Sequence, residues 1–308
     1  MKRALLVLLA CATPLQAHAA TYYVVVAGLG GEPDYEQRFT AAAKDLHRIF
    51  SAAGPAAHVY MLTGEQATRA HLAETVGEVA RSAQADDDFA LILIGHGSFD
   101  GVEYKFNLAG PDVTAGEIAA MCDHVAARRQ LIVDATSASG GALQILERPG
   151  RAVIAATKSG TEKNATVFAR YWVEALEDPA ADTDKSDSIS AMEAFRYATK
   201  KTAAFYDSQK RIATEHAVFN DTGRGEAVRE AGSGQGLLMA SFILLHLGRS
   251  QQAASDPAKR ALLEKKDQLE QKIDTLKYRK AAMDPEDYKK QLMDALVELA
   301  RVQEELDK

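Results

Sequence analysis

Five short segments rich in valine, isoleucine and leucine constrain the fold of this chain more than any other feature. Each has the length of a strand and is apolar on both alternating faces, which is typical of strands in a parallel sheet covered on both sides. The segments are YYVVVA (22–27), HVYML (58–62), FALILI (89–94), LIVDA (131–135) and AVIAA (152–156). The sequence therefore predicts a mainly parallel sheet with helices on both faces.

Helical patterns separate these segments, at 34–53, 68–82, 115–127 and 164–177. Thr114 with Glu117, and Ser190 with Glu193, have the spacing of a capping box at a helix start. Strand and helix in alternation predict an α/β sandwich with right-handed crossovers. In such sheets ligands bind at the carboxyl ends of the strands.

Three other segments are less regular. SFDGVEYKFNLAG (98–110) alternates polar and apolar residues around glycines and predicts a small hairpin. The acidic stretch DPAADTDKSDS (178–188) is typical of a mobile surface loop. GLLMASFILLHLG (236–248) is shorter than the ~20 residues of a membrane-spanning helix, so it predicts a core element and no transmembrane segment.

The last part of the chain, 251–308, is charged and helical. Asp256-Pro257 and Asp284-Pro285 each combine a capping residue with a first-turn proline. Apolar residues then recur at coiled-coil spacing, at Leu262, Leu269, Ile273, Leu276 and Met283 and at Tyr288, Leu292, Ala295, Leu299, Val302 and Leu306.

Charge favours folding these two helices back on each other. Residues 259–280 hold eight basic and four acidic residues, whereas 284–308 hold four basic and eight acidic ones. The sequence predicts an antiparallel helical hairpin with arms of roughly 35 Å at ~1.5 Å per residue. Two roles stay open for it: padding of the preceding domain, or binding of a partner, including a second copy of the chain.

The first twenty residues have the pattern of a secretory signal peptide. Lys2 and Arg3 precede an apolar run that ends in Ala17-His18-Ala19. We expect an exported protein, periplasmic or secreted, with a signal peptide at 1–20, an α/β domain at 21–250 and the hairpin at 251–308. The alternative is a lipoprotein acylated at Cys11.

The charge balance excludes one class of partner. Loss of Lys2 and Arg3 would leave 34 basic against 43 acidic residues, so we expect no nucleic-acid binding. Cys122 would be the only cysteine, so no internal disulfide is expected. The histidines are scattered and HExxH, CxxC and P-loop motifs are absent, so the sequence predicts no cofactor and no metal site.

Two predicted strands end in residues that can carry chemistry. His96 follows the third strand in FALILIGHGSFDG, and Ser137 follows the fourth in LIVDATSASGG. The carboxyl ends of neighbouring parallel strands meet at one edge of the sheet, so we expect His96 and Ser137 to be close. A plain tight turn at TSASGG is the competing interpretation.

These stretches resemble the motifs of the legumain and caspase type (clan CD) of cysteine peptidases. GHGSFDG resembles their His-Gly motif, and Ser137-Ala138-Ser139-Gly140 is similar to their Cys-x-Ser-Gly motif, with serine in place of the cysteine. VVVAGLGGEPDY resembles the legumain first strand, and AVIAATKSGTEKN lies where that family has a strand and a specificity loop. The resemblance covers 21–248 and implies a caspase-like sandwich.

The resemblance also implies residue roles. His96 would be the general base or acid, Ser137 the nucleophile, and the backbone N–H groups of Gly97 and Ser137 the oxyanion hole. Lys158, Ser159 and Glu162, after the fifth strand, are candidates for a specificity pocket or a surface turn. The chain departs from the family twice: it lacks the cysteine, and the histidine-orienting asparagine of legumains falls on Gly30.

Two functions follow. The chain is an exported peptidase-type hydrolase in which a Ser-His dyad transfers acyl groups of a peptide or protein substrate. Alternatively, it is an inactive pseudopeptidase that binds partners through its pocket and hairpin. A serine needs a well-oriented base, which the missing asparagine puts in question.

Overall fold

The computed structural model describes residues 19–232 and 234–308. The predicted signal peptide lies almost entirely outside the described residues, as does Cys11. The strands, in chain order, are β1 (Thr21–Ala27), β2 (Ala57–Leu62), β3 (Asp88–Ile94), β4 (Gly97–Phe99), β5 (Tyr104–Phe106), β6 (Val113–Thr114), β7 (Arg129–Asp134), β8 (Arg151–Ala155), β9 (Ser188–Ser190), β10 (Val218–Asn220) and β11 (Ile243–His246).

Helices occupy most of the connections between these strands. In chain order they are α1 (Pro33–Ser51), α2 (Arg69–Ser82), α3 (Ala115–Asp123), α4 (Leu143–Leu146), α5 (Phe168–Glu177), α6 (Ala191–Ser208), α7 (Leu237–Ser241), α8 (Gly248–Ser255), α9 (Pro257–Arg279) and α10 (Pro285–Leu306). No helix within the described ranges combines the length and apolarity needed to cross a bilayer.

The central sheet has six strands in the order β10-β8-β7-β3-β1-β2. Five are parallel, and β10 at one edge runs antiparallel to β8. All five predicted strands are present within one or two residues of their predicted bounds. The predicted class, a mainly parallel α/β sandwich followed by C-terminal helices, is confirmed.

Alternation along β1 explains the two apolar layers. Tyr23 and Val25 pack into one core with α1, α5 and α6, while Val24 and Val26 pack into another with α2 and α3. Successive strand residues point to opposite faces, so a segment apolar at every position needs a cover on both sides.

Both predicted capping boxes are present, at Thr114 with Glu117 and at Ser190 with Glu193. Two helices are shorter than predicted, and a side chain from outside each helix bonds the backbone near the end that is shorter. The first is α3, predicted at 115–127, which ends at Asp123. The Gln130 side chain donates to the carbonyls of Cys122 and Val125 at this end of the helix.

The second shorter helix is α5, which starts at Phe168 rather than 164. The carboxylate of Glu215 accepts hydrogen bonds from the backbone N–H groups of Val167 and Phe168, at 2.8 and 3.1 Å. A carboxylate at this position satisfies unpaired donors and interacts favourably with the helix dipole.

The predictions for the three less regular segments agree with the structure to different degrees. The predicted small hairpin is present as β4 and β5, extended by β6. The core segment 236–248 divides into α7 and β11, which pairs with β9. The prediction of a surface loop at 178–188 is wrong for Asp182 and Ser188, which are 5% and 1% exposed.

The C-terminal helices α9 and α10 run antiparallel. Lys259 donates to the carbonyl of Leu306, and Lys265 forms an ion pair with Glu298 at 2.8 Å. The predicted caps at Asp256 and Asp284 are present. Helix α9 also contacts the α/β part, where Lys266 donates to the carbonyl of Ser186 at 2.5 Å.

Candidate functional site

Parallel pairing of β3 with β7 brings the predicted site residues to one edge of the sheet. Leu93 is the register partner of Asp134, so Gly95 and His96 leave the sheet beside the residues that lead to Ser137. The sequence-based expectation that the two strand ends meet agrees with this register.

Ser137 and Gly97 are joined by two hydrogen bonds across this edge. The Ser137 hydroxyl donates to the Gly97 carbonyl at 3.0 Å, and the Gly97 N–H donates to the Ser137 oxygen at 3.1 Å. Ser137 is 3% exposed. The side chain therefore connects the segment after β3 to the segment after β7.

The contact depends on glycine at position 97. A Cβ atom there would lie 2.4 Å from the carbonyl oxygen of Ser137 and 2.7 Å from the hydroxyl of Thr136. Any larger residue would separate the two segments, so the contact between them requires glycine at position 97.

His96 lies between two aromatic rings of α1. Its ring contacts Tyr35 and Phe39 edge-on, with centroids 4.8 and 5.1 Å apart. Burial lowers the pKa of His96, whereas a hydrogen bond with the Gly30 backbone acts in the opposite direction. The lowered pKa favours the neutral imidazole.

The backbone of Gly30 interacts with the His96 ring. A Cβ atom on Gly30 would lie 2.3 Å from the backbone nitrogen of Glu36, so this backbone has no room for asparagine. The Gly30 N–H donates to the Glu36 carboxylate at 2.8 Å, which holds the turn.

His96 and Ser137 share the edge without a direct hydrogen bond. Both lie within the described part of the chain. The Ser137 hydroxyl bonds Gly97 instead. The His96 ring interacts with Gly30, Tyr35 and Phe39. Apo geometry can tighten in a complex, so their roles as base and nucleophile stay predictions.

A buried carboxyl lies below this edge. Asp134, at the end of β7, accepts hydrogen bonds from the N–H and hydroxyl of Thr136, and the Thr136 hydroxyl also bonds Tyr104 at 2.7 Å. One Asp134 oxygen is buried without a hydrogen-bond partner. Burial raises the pKa of Asp134 to about 6.

The turn after Ser137 is strained. Ala138 has φ 57°, a left-handed conformation that only glycine adopts without cost. Its N–H donates to the carbonyl of Glu162, and Ser139 and Gly140 bond the hydroxyl of Thr157. A sharp turn held this tightly fixes Ser137 in place.

The three candidate specificity residues lie on the loop that holds this turn. Lys158 is exposed and Ser159 is partly buried. Glu162 is occupied structurally: its carboxylate accepts from the N–H of Lys158 and from the N–H and Nδ1 of His216. The structure thus brings all three near Ser137, with Lys158 the most accessible.

Several residues of this edge were not predicted from the sequence. Tyr35 and Phe39 enter from α1, and Tyr104 from β5. The spacing of Tyr35 and Phe39, four residues apart on one helix face, matches ordinary core packing and carries no functional signal. Asp134 did carry a signal, because a charged residue inside an apolar strand is unusual and could have been predicted to belong to the site.

A cavity of roughly 410 Å³ lies at the opposite edge of the sheet. Thr21, Asp88 and Arg129, at the starts of their strands, line it together with His246 and with Asp267 of α9. It is thus separated from His96 and Ser137 by the length of the strands.

Comparisons with known proteins give weak structural matches. The chain is similar to the Drosophila initiator caspase Dronc, with 11% identity over 73% of this chain and 84% of that one, at a TM-score of 0.44. It is also similar to GSU0716 from Geobacter sulfurreducens, with 13% identity over 75% of this chain and 100% of that one, at a TM-score of 0.48.

No protein-family model and no curated protein sequence matches the chain. The fold class itself rests on the strand order and the parallel pairing.

Proposed function

We propose that this chain is a binding protein with a peptidase-like fold, in which Ser137 is a structural residue rather than a nucleophile. The observation that carries the proposal is the double hydrogen bond between Ser137 and Gly97, together with the 3% exposure of Ser137. We infer that Ser137 holds the two strand ends together through Gly97 and does not transfer acyl groups.

Acyl transfer needs groups that this contact occupies. A nucleophilic serine passes its proton to a base, but the Ser137 hydroxyl donates its hydrogen bond to the Gly97 carbonyl. An oxyanion hole needs free N–H donors, but the Gly97 N–H points to the Ser137 hydroxyl. Both groups would have to be released before a substrate could react.

The accessible part of the same edge suits binding of an extended peptide. The neutral His96 ring is partly exposed, Leu29 is 48% exposed, and the Lys158 side chain is 58% exposed. Apolar surface and a hydrogen-bonding ring favour a peptide with apolar residues. The exposed Lys158 ammonium, 3.8 Å from the Glu162 carboxylate, would also attract an acidic residue.

We also propose that the protein acts outside the cytoplasm, because residues 1–20 have the pattern of a signal peptide. Mass spectrometry of the mature N-terminus tests this. Cleavage after Ala19 or Ala20 supports export by this route, whereas an acylated Cys11 supports the lipoprotein alternative.

A Ser-His hydrolase is the second candidate. The direction of the His96 pKa favours it, because a histidine that is neutral at pH 7 can accept a proton. The backbone of Gly30 would act as the orienting group. This function requires the Ser137 hydroxyl to leave Gly97 and turn toward His96.

A fluorophosphonate probe distinguishes the two candidates, since it labels only serines activated by a base. The wild type is compared with S137A and H96A, with an active serine hydrolase in the same tube as a control. We expect no labelling of Ser137. Labelling that disappears in both variants would establish the hydrolase instead.

A further inference from the structure

The segment from Asp182 to Glu193, DTDKSDSISAME, has the residue order of a calcium-binding loop. Oxygen-bearing side chains occupy positions 1, 3, 5, 7 and 9, an isoleucine occupies position 8, and glutamate occupies position 12. EF-hand loops place their ligands at these positions. The chain departs from the pattern twice: position 5, where such loops have Asp or Asn, is Ser186, and position 6, where they have glycine, is Asp187.

The structure brings the acidic ligands of this pattern together. Oxygen atoms of Asp182, Asp184 and Glu193 all lie within 4.8 Å of one another, although eleven positions separate the first from the last. Asp187 has φ 59°, the conformation for which glycine is preferred at position 6. The backbone at Asp187 therefore already has the left-handed conformation that glycine provides at position 6 of such loops.

The elements around the loop also match the pattern. Ile189, at position 8, is fully buried, and its strand β9 pairs with β11. Helix α6 starts at Ala191, so Glu193 lies in its first turn. The last ligand position is therefore fixed at the start of a helix.

Two of these carboxylates are buried without a counter-charge. Asp182 is 5% exposed and Glu193 is 6% exposed. Within 19–232 and 234–308, neither forms an ion pair, nor does Asp184; the nearby Lys266 is paired with Glu270. Buried charges that lie close together are costly unless a cation compensates them.

The hydrogen bonds to these carboxylates come from neutral groups. Asp182 accepts from the backbone N–H groups of Ser186 and Asp187, and Glu193 accepts from Thr183 and Ser190. Two ammonium groups donate to backbone carbonyls of the loop, Lys185 to Asp182 and Lys266 to Ser186. Neither forms an ion pair with the three carboxylates among the described residues, so a bound cation would supply the direct counter-charge.

We propose that Asp182, Asp184, Ser186 and Glu193, with the backbone carbonyl of Ser188, bind Ca²⁺. The donors are all oxygen, which suits a hard cation and excludes the thiolate and imidazole sets of zinc sites. A loop that offers many oxygen donors favours Ca²⁺, which takes six to eight of them, over the smaller Mg²⁺, which needs a stricter octahedron.

This site is independent of the chemistry at His96 and Ser137, and it touches the C-terminal hairpin. Lys266 of α9 donates to the carbonyl of Ser186 inside the loop. A cation that orders the loop would therefore also order the surface on which α9 packs. The sequence-based prediction of no metal site rested on the scattered histidines and on the absence of HExxH and CxxC motifs, which are not the ligands of a calcium site.

The test is calorimetric titration of CaCl₂ into the chelator-treated full-length protein, with thermal melting in parallel. We expect one Ca²⁺ per chain, with a Kd between ~10⁻⁶ and ~10⁻³ M, and a higher Tm in Ca²⁺ than in equal Mg²⁺. D184N should weaken binding at least tenfold. Asp184 is exposed, so this variant is expected to fold.

D207N, an exposed carboxylate of α6 outside the loop, is the matched control and should bind as the wild type does. E193Q gives a second variant, with its fold checked by circular dichroism. Absence of stoichiometric binding in 5 mM CaCl₂, roughly the weakest affinity expected of such loops, overturns the proposal. Unchanged affinity in D184N overturns it as well.

Discussion

The hydroxyl of Ser137 and the backbone of Gly97 exchange two hydrogen bonds, at 3.0 and 3.1 Å, across the ends of two parallel strands. The pair connects the segment that carries His96 to the turn that starts with Ala138. This contact supports the proposal of a structural serine, and it leads to the first prediction.

We expect S137A to lower the free energy of unfolding by about 1–3 kcal/mol, because the polar backbone groups of Gly97 lose their partner. Urea denaturation measures the change. S98A is the matched control, since Ser98 is exposed on the neighbouring strand. Equal stability of S137A and S98A would show that the contact contributes nothing.

Glu162 should matter for stability and Lys158 should not. The Glu162 carboxylate accepts three hydrogen bonds from Lys158 and His216, so E162A is expected to cost about 1–3 kcal/mol. K158A removes an exposed side chain 3.8 Å from Glu162 and should change stability by less than about 0.5 kcal/mol. Thermal melting of both variants checks this, and the reverse order would contradict it.

The parallel sheet was predictable because its strands are apolar on both alternating faces, which is typical of strands covered on both sides. The start of α5 was not, because Glu215 caps it from 47 residues away. Similarly, the sequence placed His96 and Ser137 at one edge, but the rotamer that turns Ser137 toward Gly97 depends on packing. The residue order of a calcium-binding loop at 182–193 is present in the sequence. It was not recognised because the acidic composition of 178–188 was interpreted as a surface loop.

Asp134 should make stability depend on pH. Burial raises its pKa to about 6 from 3.8, so the folded state favours the neutral acid. The stabilisation is complete below pH ~4 and is lost as the pH rises through ~6. D134N should remove this loss and gain about 1–3 kcal/mol at pH 7 relative to the wild type.

Urea denaturation from pH 4 to pH 7 measures this difference. D86N, which changes an exposed carboxylate, is the control and should follow the wild type. Parallel curves for D134N and the wild type would mean that Asp134 does not titrate in this range.

The α/β part should fold without the hairpin. It has apolar cores on both faces of the sheet, so a chain ending after Ser250 is expected to unfold cooperatively. Its Tm should fall by several degrees, because α9 packs against it and each kcal/mol is worth about 2–4 °C at this size. An aggregated or non-cooperative product would show that α9 belongs to the core.

The central claim is that Ser137 and His96 do not form a catalytic pair, and alkylation of S137C by iodoacetamide tests it most directly. A thiol beside a base reacts fast because its pKa is lowered. Cys122, whose pKa burial raises to about 12, gives the unreactive reference, and S98C gives an ordinary exposed thiol. We predict that the thiol of S137C reacts more slowly than that of S98C, at a rate unchanged by adding H96A. A rate at least tenfold above that of S98C, lost on adding H96A, would contradict the account and restore the hydrolase.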